Sequence, residues 1–181
     1  MIRTKRLVLR QWNDEDLQPF AQMCADKGVM EFFPKLLTEG ESFSMGRTIR
    51  SLIAERGWGF WAVEIPGKSR FIGFVGLHIP KDNMPFSPCV EIGWRLAKDY
   101  WGMGYAAEAA NESLRYAFTH LDLDEVVSFT TVRNIRSQAV MKKIGMSYAS
   151  NFMHPDLESS DPLCEHVLYK ISRSQWEMNA L

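Results

Sequence analysis

Cysteine is scarce in this chain: Cys24, Cys89 and Cys164 are the only three in 181 residues. An odd count, wide spacing and no CxxC pair exclude a disulfide framework and a cysteine zinc site as organising features, so no metal is expected. Free thiols fit a reducing compartment, and a cytoplasmic location follows as the expectation. No charge of one sign prevails. The 21 Lys and Arg offset 22 Asp and Glu, for a formal net charge of −1. Nucleic-acid binding usually needs a clustered basic surface, so no nucleic-acid partner is expected. No apolar run approaches the roughly 18 residues that cross a bilayer, so no membrane partner is expected either. The opening MIRTKRLVLRQW has no secretory core of about seven or more apolar residues. Internal repeats, low-complexity tracts and Pro/Gly/Ser linkers are also missing, and one domain over 1–181 is the expectation. Nothing chooses between a monomer and a homodimer.

What is present is an ordinary globular composition, 46% hydrophobic and 24% charged. A chain of this length buries roughly 70% of its unfolded surface, enough for a real core. Residues 6–11 alternate as a first strand. Asn13 then reads as an N-cap, with Asp14, Glu15 and Asp16 in a first turn where carboxylates suit the helix dipole. Leu17, Phe20, Ala21 and Cys24 share one helical face, and a second helix spans 41–55. Strands follow at 60–65, 71–79 and 89–96, with a Pro66-Gly67 turn between the first two. A helix over 105–120, a β-branched strand at 126–132 and a helix over 135–144 stopped by Gly145 come next. Two closing strands at 147–152 and 167–171 flank a polar loop, and 174–178 reads as a short terminal helix. The order implies an α/β layout with a mixed sheet: an antiparallel meander followed by one parallel β-α-β unit.

The most informative segment is RLAKDYWGMGYAAEA, residues 95–109. Here a strand, a short loop and two glycines run into a helix. Gly102 and Gly104 let the backbone approach a ligand and turn its N–H groups inward. The helix start adds unpaired donors and a partial positive charge, which together suit a pyrophosphate. A plain packing loop is the bland reading. Gly102, Gly104 and Ala107 also spell GxGxxA, the dinucleotide-binding fingerprint, with Asp122 and Asp124 about 20 residues beyond. In that fold the strand runs almost directly into the first glycine and the unit usually opens the domain. Here five residues separate Leu96 from Gly102 and several elements precede them.

WGMGYA at 101–106 resembles the Gln/Arg-x-x-Gly-x-Gly/Ala signature of the GNAT superfamily of N-acetyltransferases, with Trp101 in the Gln/Arg place. CVEIGWRLAKDYWGMGYAAEA resembles the branch that contains the ribosomal-protein N-terminal (RimJ/RimL-like) acetyltransferases. RNIRSQAVMKKIGM at 133–146 resembles the family's Asn-x-x-Ser and the end of its fourth helix, and TKRLVLR also fits. The resemblance implies a GNAT fold: a central, mostly antiparallel sheet of about six or seven strands, a splayed parallel pair formed by the fourth and fifth strands, and about four flanking helices. It implies acetyl-CoA as cosubstrate and an amine acceptor, either a protein N-terminus or a small molecule. Pantetheine would lie in the splay against the backbone of Trp94, Arg95 and Leu96. The amides of Gly102, Met103, Gly104, Tyr105, Ala106 and Ala107 would hold the pyrophosphate. Asn134 matches a cofactor-contacting position, and as an N-cap it has a structural use as well. Lys98, Arg133, Arg136, Lys142 and Lys143 are nearby cations.

The implied chemistry is attack of a neutral amine on a thioester, which needs a base, a donor for the developing oxyanion and a leaving sulfur. By resemblance the oxyanion donor is a backbone N–H near Trp94. Glu91 is the candidate base, since a carboxylate in an otherwise apolar strand is unusual; exposure to solvent or pairing with Arg95 is the alternative. The tyrosine that many relatives use as acid is Met141 here. Ser137, one turn earlier, is the candidate acid, or else only supports the helix start. His78 faces either an acceptor pocket or a structural partner, and Phe32-Phe33 falls where the family shapes its acceptor site. The acidic run Asp156, Glu158, Asp161 and Glu165 either lines the acceptor mouth or is a solvated loop. A non-catalytic acyl-CoA sensor is the rival from another class.

Overall fold

The computed structural model describes residues 1–179. Its strands are β1 (Ile2–Arg3), β2 (Val8–Arg10), β3 (Phe60–Ile65), β4 (Ser69–His78), β5 (Glu91–Leu96), β6 (Glu125–Thr131), β7 (Ser147–Met153) and β8 (Glu165–Ser172). All eight join one sheet in the order β1-β2-β3-β4-β5-β6-β8-β7. Only β5 and β6 run parallel; every other neighbouring pair is antiparallel. The helices are α1 (Leu17–Ala25), α2 (Glu39–Arg56), α3 (Tyr105–Thr119), α4 (Ile135–Lys143) and α5 (Arg173–Asn179). The mixed sheet with one parallel unit follows the order expected from the sequence.

The differences have local causes. The sheet has an eighth strand because Ile2 pairs back onto Leu9, extending the edge by two residues. The second helix starts two residues earlier than expected. Thr38 and Glu41 form a reciprocal capping box, each side chain taking the other's backbone N–H. A single turn of 3-10 helix precedes α1, closed by the same device between Asn13 and Asp16.

Helices cover the sheet on both faces. On one face Trp12 and Phe20 pack edge-on at 5.1 Å, and both rings lie within 6.4 Å of Phe71 and Phe74 from β4. On the other, Ala109, Ala110 and Ala117 of α3 are wholly buried, and these small side chains let the helix lie close to the strands. Tyr116 meets Trp61 at 5.2 Å, and Phe118 meets Trp176 of α5 at 5.4 Å.

At Gly73, β4 lies tight against β5. The Gly73 φ is +132°, and a Cβ there would lie 2.1 Å from the carbonyl oxygen of Arg95. Because backbone cannot yield as a side chain tip does, Gly73→Ala is expected to destabilise the protein by about 3 kcal/mol. The check is the urea midpoint at unchanged m value, and an unmoved midpoint would show that the two strands separate freely here.

Candidate functional site

The site begins where β5 and β6 part. Along β4, strand β5 is paired from Glu91 to Leu96, but to β6 it is paired only at Glu91↔Val127. The side to which each backbone group turns follows from two hydrogen bonds. Ala97 N–H donates to Ile72 of β4 at 2.9 Å, and Val127 N–H donates to the carbonyl of Val90 at 3.0 Å. Strand alternation then directs the backbone groups of Glu91, Gly93 and Arg95 to β4, and those of Ile92, Trp94 and Leu96 to β6. Beyond the single pairing, the amides of Trp94 and Leu96 face a gap. Of the three backbones expected to meet pantetheine, that of Arg95 turns to β4 and those of Trp94 and Leu96 turn to the gap. The Leu96 carbonyl already accepts a 2.8 Å hydrogen bond from the Trp101 indole.

The glycine loop sits at the open end of this gap. Gly102 and Gly104 have φ of +73° and +79°, conformations that disfavour any side chain. A Cβ on Gly102 would touch nothing within 4 Å. Backbone conformation, not crowding, therefore demands that glycine. Helix α3 starts at Gly104 with no side-chain cap, and its first intrahelical acceptance is by Gly104 from Glu108 N–H. The amides of Tyr105, Ala106 and Ala107 are thus free donors at the positive end of the helix dipole. Arg6 braces the loop from behind: it donates to the Met103 carbonyl at 3.0 Å, pairs with Glu108 at 2.6 Å and stacks over Tyr105 at 4.5 Å.

Glu91 lies at the closed end. It keeps partial exposure, yet desolvation pushes its carboxyl up to about 8 from a usual 4.5. Among the described residues no side chain pairs with it. Arg95 does not reach it, because its guanidinium stacks over Phe33 at 4.1 Å and Phe74 at 5.4 Å and donates to Cys24 Sγ at 3.3 Å. Arg95 is 8% exposed, its Nε has no partner, and burial lowers its pKa. His78, the register partner of Glu91, stacks on Phe60 at 5.2 Å and is shifted down, first by burial and then by the charge of Arg56. On this face a cavity of about 440 Å³ opens between α2 and the β3–β4 hairpin, lined in part by Phe60 and His78.

Asn134 caps α4: its Oδ1 accepts from Ser137 N–H at 3.2 Å while its amide donates to Thr130. Ser137 is half-buried, and its hydroxyl has no protein partner among the described residues. Met141 is 1% exposed and belongs to the core. Among the candidate cations, Arg136 stacks over Trp101 at 4.6 Å and pairs with Glu31 at 2.8 Å, whereas Lys142 and Lys143 lie in the last turn of α4. The acidic run is largely occupied internally: Asp156 pairs with Lys81, Asp161 accepts from Leu163 N–H and Glu165 from Asn151. Sequence reasoning missed Arg56, the Trp101–Leu96 bond and the Arg6 brace. Trp101 in the signature's Gln/Arg place was the one available hint. No group of three metal-ligating side chains occurs among the described residues.

Comparison with known proteins shows the family and the fold. Residues 6–147 match the family described as acetyltransferase (GNAT) domain. The FsC-acetyl coenzyme A-N(2)-transacetylase of Aspergillus fumigatus is 30% identical over 97% of this chain and 77% of its own length. A GNAT-family acetyltransferase from Bacillus anthracis superposes with a TM-score of 0.80 at 23% identity, over 96% of this chain and 98% of that one. A spermidine N-acetyltransferase from Vibrio cholerae, solved with CoA and spermine, gives a TM-score of 0.74 at 18% identity, over 95% and 98%.

The raised carboxyl carries a stability consequence. Between pH 4.5 and 8 the unfolded chain has released the Glu91 proton and the folded chain still holds it, so folding stability falls as pH rises through this window. Glu91→Gln removes the effect, and its stability relative to the parent is expected to grow by on the order of 4 kcal/mol from pH 5 to pH 8. Urea unfolding at both pH values checks this; parallel profiles for the two proteins would mean an ordinary carboxyl.

Proposed function

The chain belongs to the GNAT acetyltransferase family, and we propose that it moves an acetyl group from acetyl-CoA to a primary amine in a ternary complex, in the cytoplasm. The observation that carries the proposal is the conjunction of an uncapped α3 start behind Gly102 and Gly104, a gap bordered by the Trp94 and Leu96 amides, and an unpaired carboxyl at the closed end of that gap. The CoA complex of the Vibrio neighbour supports the cosubstrate.

In this reading the amides of Gly102 to Ala107 hold the pyrophosphate, the Trp94 carbonyl and the Leu96 N–H meet pantetheine, and Asn134 fixes the start of α4 beside it. The amine nitrogen bonds to the thioester carbonyl carbon. Trp94 N–H donates to the oxygen as it gains charge. Glu91, through water, takes the proton that nitrogen sheds. As the C–S bond breaks, Ser137 protonates the sulfur and regains a proton, through water, from Glu91. A thiol with an ordinary pKa near 8.5 is a fair leaving group unaided, so the contribution of Ser137 is modest. A base with a pKa near 8 is best matched to an α-amine at 7.7–8.0, and a more basic amine reacts through its smaller neutral fraction; the acceptor is either a protein N-terminus or a small-molecule amine.

Thiol release from acetyl-CoA across amines and short peptides tests the activity, with calorimetry on acetyl-CoA alone beside it. Gly104→Val is expected to weaken acetyl-CoA binding about tenfold or more, because it forces a β-branched side chain to positive φ and misdirects the amides. Glu91→Gln is expected to keep that binding, to lower kcat by about 10²–10⁴ and to remove a limb of the rate profile that rises toward pH 8. Tight binding with no turnover on any amine would instead favour the acyl-CoA sensor.

A further inference from the structure

The cavity between α2 and the β3–β4 hairpin has no assigned role, and its walls describe an occupant. Met45, Ile49 and Leu52 of α2 face Trp58 and Phe60, so the body of the space is apolar. Its volume of about 440 Å³ falls within the range of small-molecule sites. It ends one strand from the candidate base: His78 lines it and is the register partner of Glu91, and the Phe60 ring lies over Gly93, two residues further along β5.

Two charged side chains border the cavity, and only one is free to receive a ligand. The Glu41 carboxylate is engaged by Lys35 and by the N–H and hydroxyl of Thr38, which hold it low, near 2. Arg56, in the last turn of α2, has no carboxylate within ion-pair distance among the described residues. It is half-buried, its guanidinium lies 6.0 Å from the Trp58 ring centre, and its charge reaches His78. Burial first, and then the charge of Arg56, shift His78 down, so Arg56 is the cation at this end of the cavity. A polyamine or a lysine tail would bring a second cation against it, and the one carboxylate bordering the cavity, Glu41, is already paired with Lys35. An anionic group would gain a charge-assisted hydrogen bond.

We infer that the acceptor is a small amphipathic amine: its nitrogen lies at Glu91, its apolar body in the α2–hairpin cavity and a carboxylate against Arg56. This rests on the transferase reading above and selects an acceptor class within it.

The test is kcat/KM for thiol release with matched acceptors. Leucine, phenylalanine, 6-aminohexanoate and 8-aminooctanoate are each compared with their carboxamides, and the two longer acids also with diamines of equal length. The parent protein is expected to prefer acids over carboxamides by about tenfold or more, mainly through KM. Arg56→Gln is expected to bring that ratio close to one, and Arg56→Glu to turn the preference toward diamines. Unchanged acetyl-CoA affinity by calorimetry shows that both variants are folded. Equal or better turnover of carboxamides or diamines by the parent would overturn this inference and leave the transferase reading standing. So would an acid preference that survives Arg56→Gln. Acetyl-CoA binding without turnover of any acceptor, peptides included, would overturn both.

Discussion

The parting of β5 from β6 is the constraint on which the rest of the molecule depends. A parallel pair normally forms evenly spaced bonds along its length, and each amide left unpaired and buried costs about 1–3 kcal/mol. Here one register pair is made and then abandoned. The separation is held from outside. The whole length of β5 is bonded to β4, the whole length of β6 is bonded to β8, and neither β5 nor β6 can drift toward the other. The Trp101 indole satisfies the Leu96 carbonyl at the mouth, while the Trp94 and Leu96 amides stay open to whatever enters. The glycine loop then delivers the positive end of α3 to that mouth. Gap and loop are therefore one structure, with the same chain leaving β5 and turning into α3 within eight residues, 97–104.

Charge on the α1–α2 face is arranged so that Glu91 stays a weak acid. A guanidinium beside it would favour the ionised form and pull the carboxyl below its usual range. Arg95 lies on the same face of the same strand, two pleats away, and it is turned aside. Phe33 and Phe74 take its planar cation and Cys24 accepts one of its hydrogen bonds. Stacking on rings solvates a charge without supplying a countercharge. It leaves Arg95 with a buried Nε that has no partner, and Glu91 with no ion-pair partner among the described residues. The buried cation and the buried carboxyl thus each carry a cost that pairing would have removed, and the separation preserves the basicity of Glu91.

Much of this could be read in advance because it follows from local rules. Asn13 as a cap, the α1 face, the β-branched β6 and the stop at Gly145 are short-range signals, and each lies where alternation or helical period put it. The two glycines could be read as a ligand loop because only a turn at positive φ needs them so close together before a helix. The unread features depend on long-range geometry. Nothing in the spacing of Glu91 and Arg95 says that the arginine prefers Phe33, 62 residues earlier. Which backbone groups of β5 face the gap depends on register with β4 and β6, and a shift of one residue would have exchanged Arg95 for Trp94. Arg56 carries no sequence signal beyond its place at a helix end, because the cavity it borders is made by the distant β3–β4 hairpin.

The segment between α1 and α2 is fastened to both sides of the site. Phe33 lies on Arg95 beneath it, Phe32 lies 5.5 Å from the Arg136 guanidinium, and Glu31 pairs with that same guanidinium. Arg136 in turn covers Trp101, whose indole holds the end of β5. The Glu31–Arg136 pair is about half exposed on each side, and such pairs contribute roughly 0–1 kcal/mol. Cation–π contacts with partly desolvated rings are worth about 0.5–2 kcal/mol each, so the rings carry most of the attachment. A chain of contacts therefore runs from the glycine loop through Trp101, Arg136 and Phe32 to Phe33 and Arg95. It passes outside the gap and joins the wall of the α1–α2 face to the loop at the mouth. Displacing Trp101 would free the Leu96 carbonyl and unseat Arg136 together. The residue that departs from the family signature thus couples the two sides of the site.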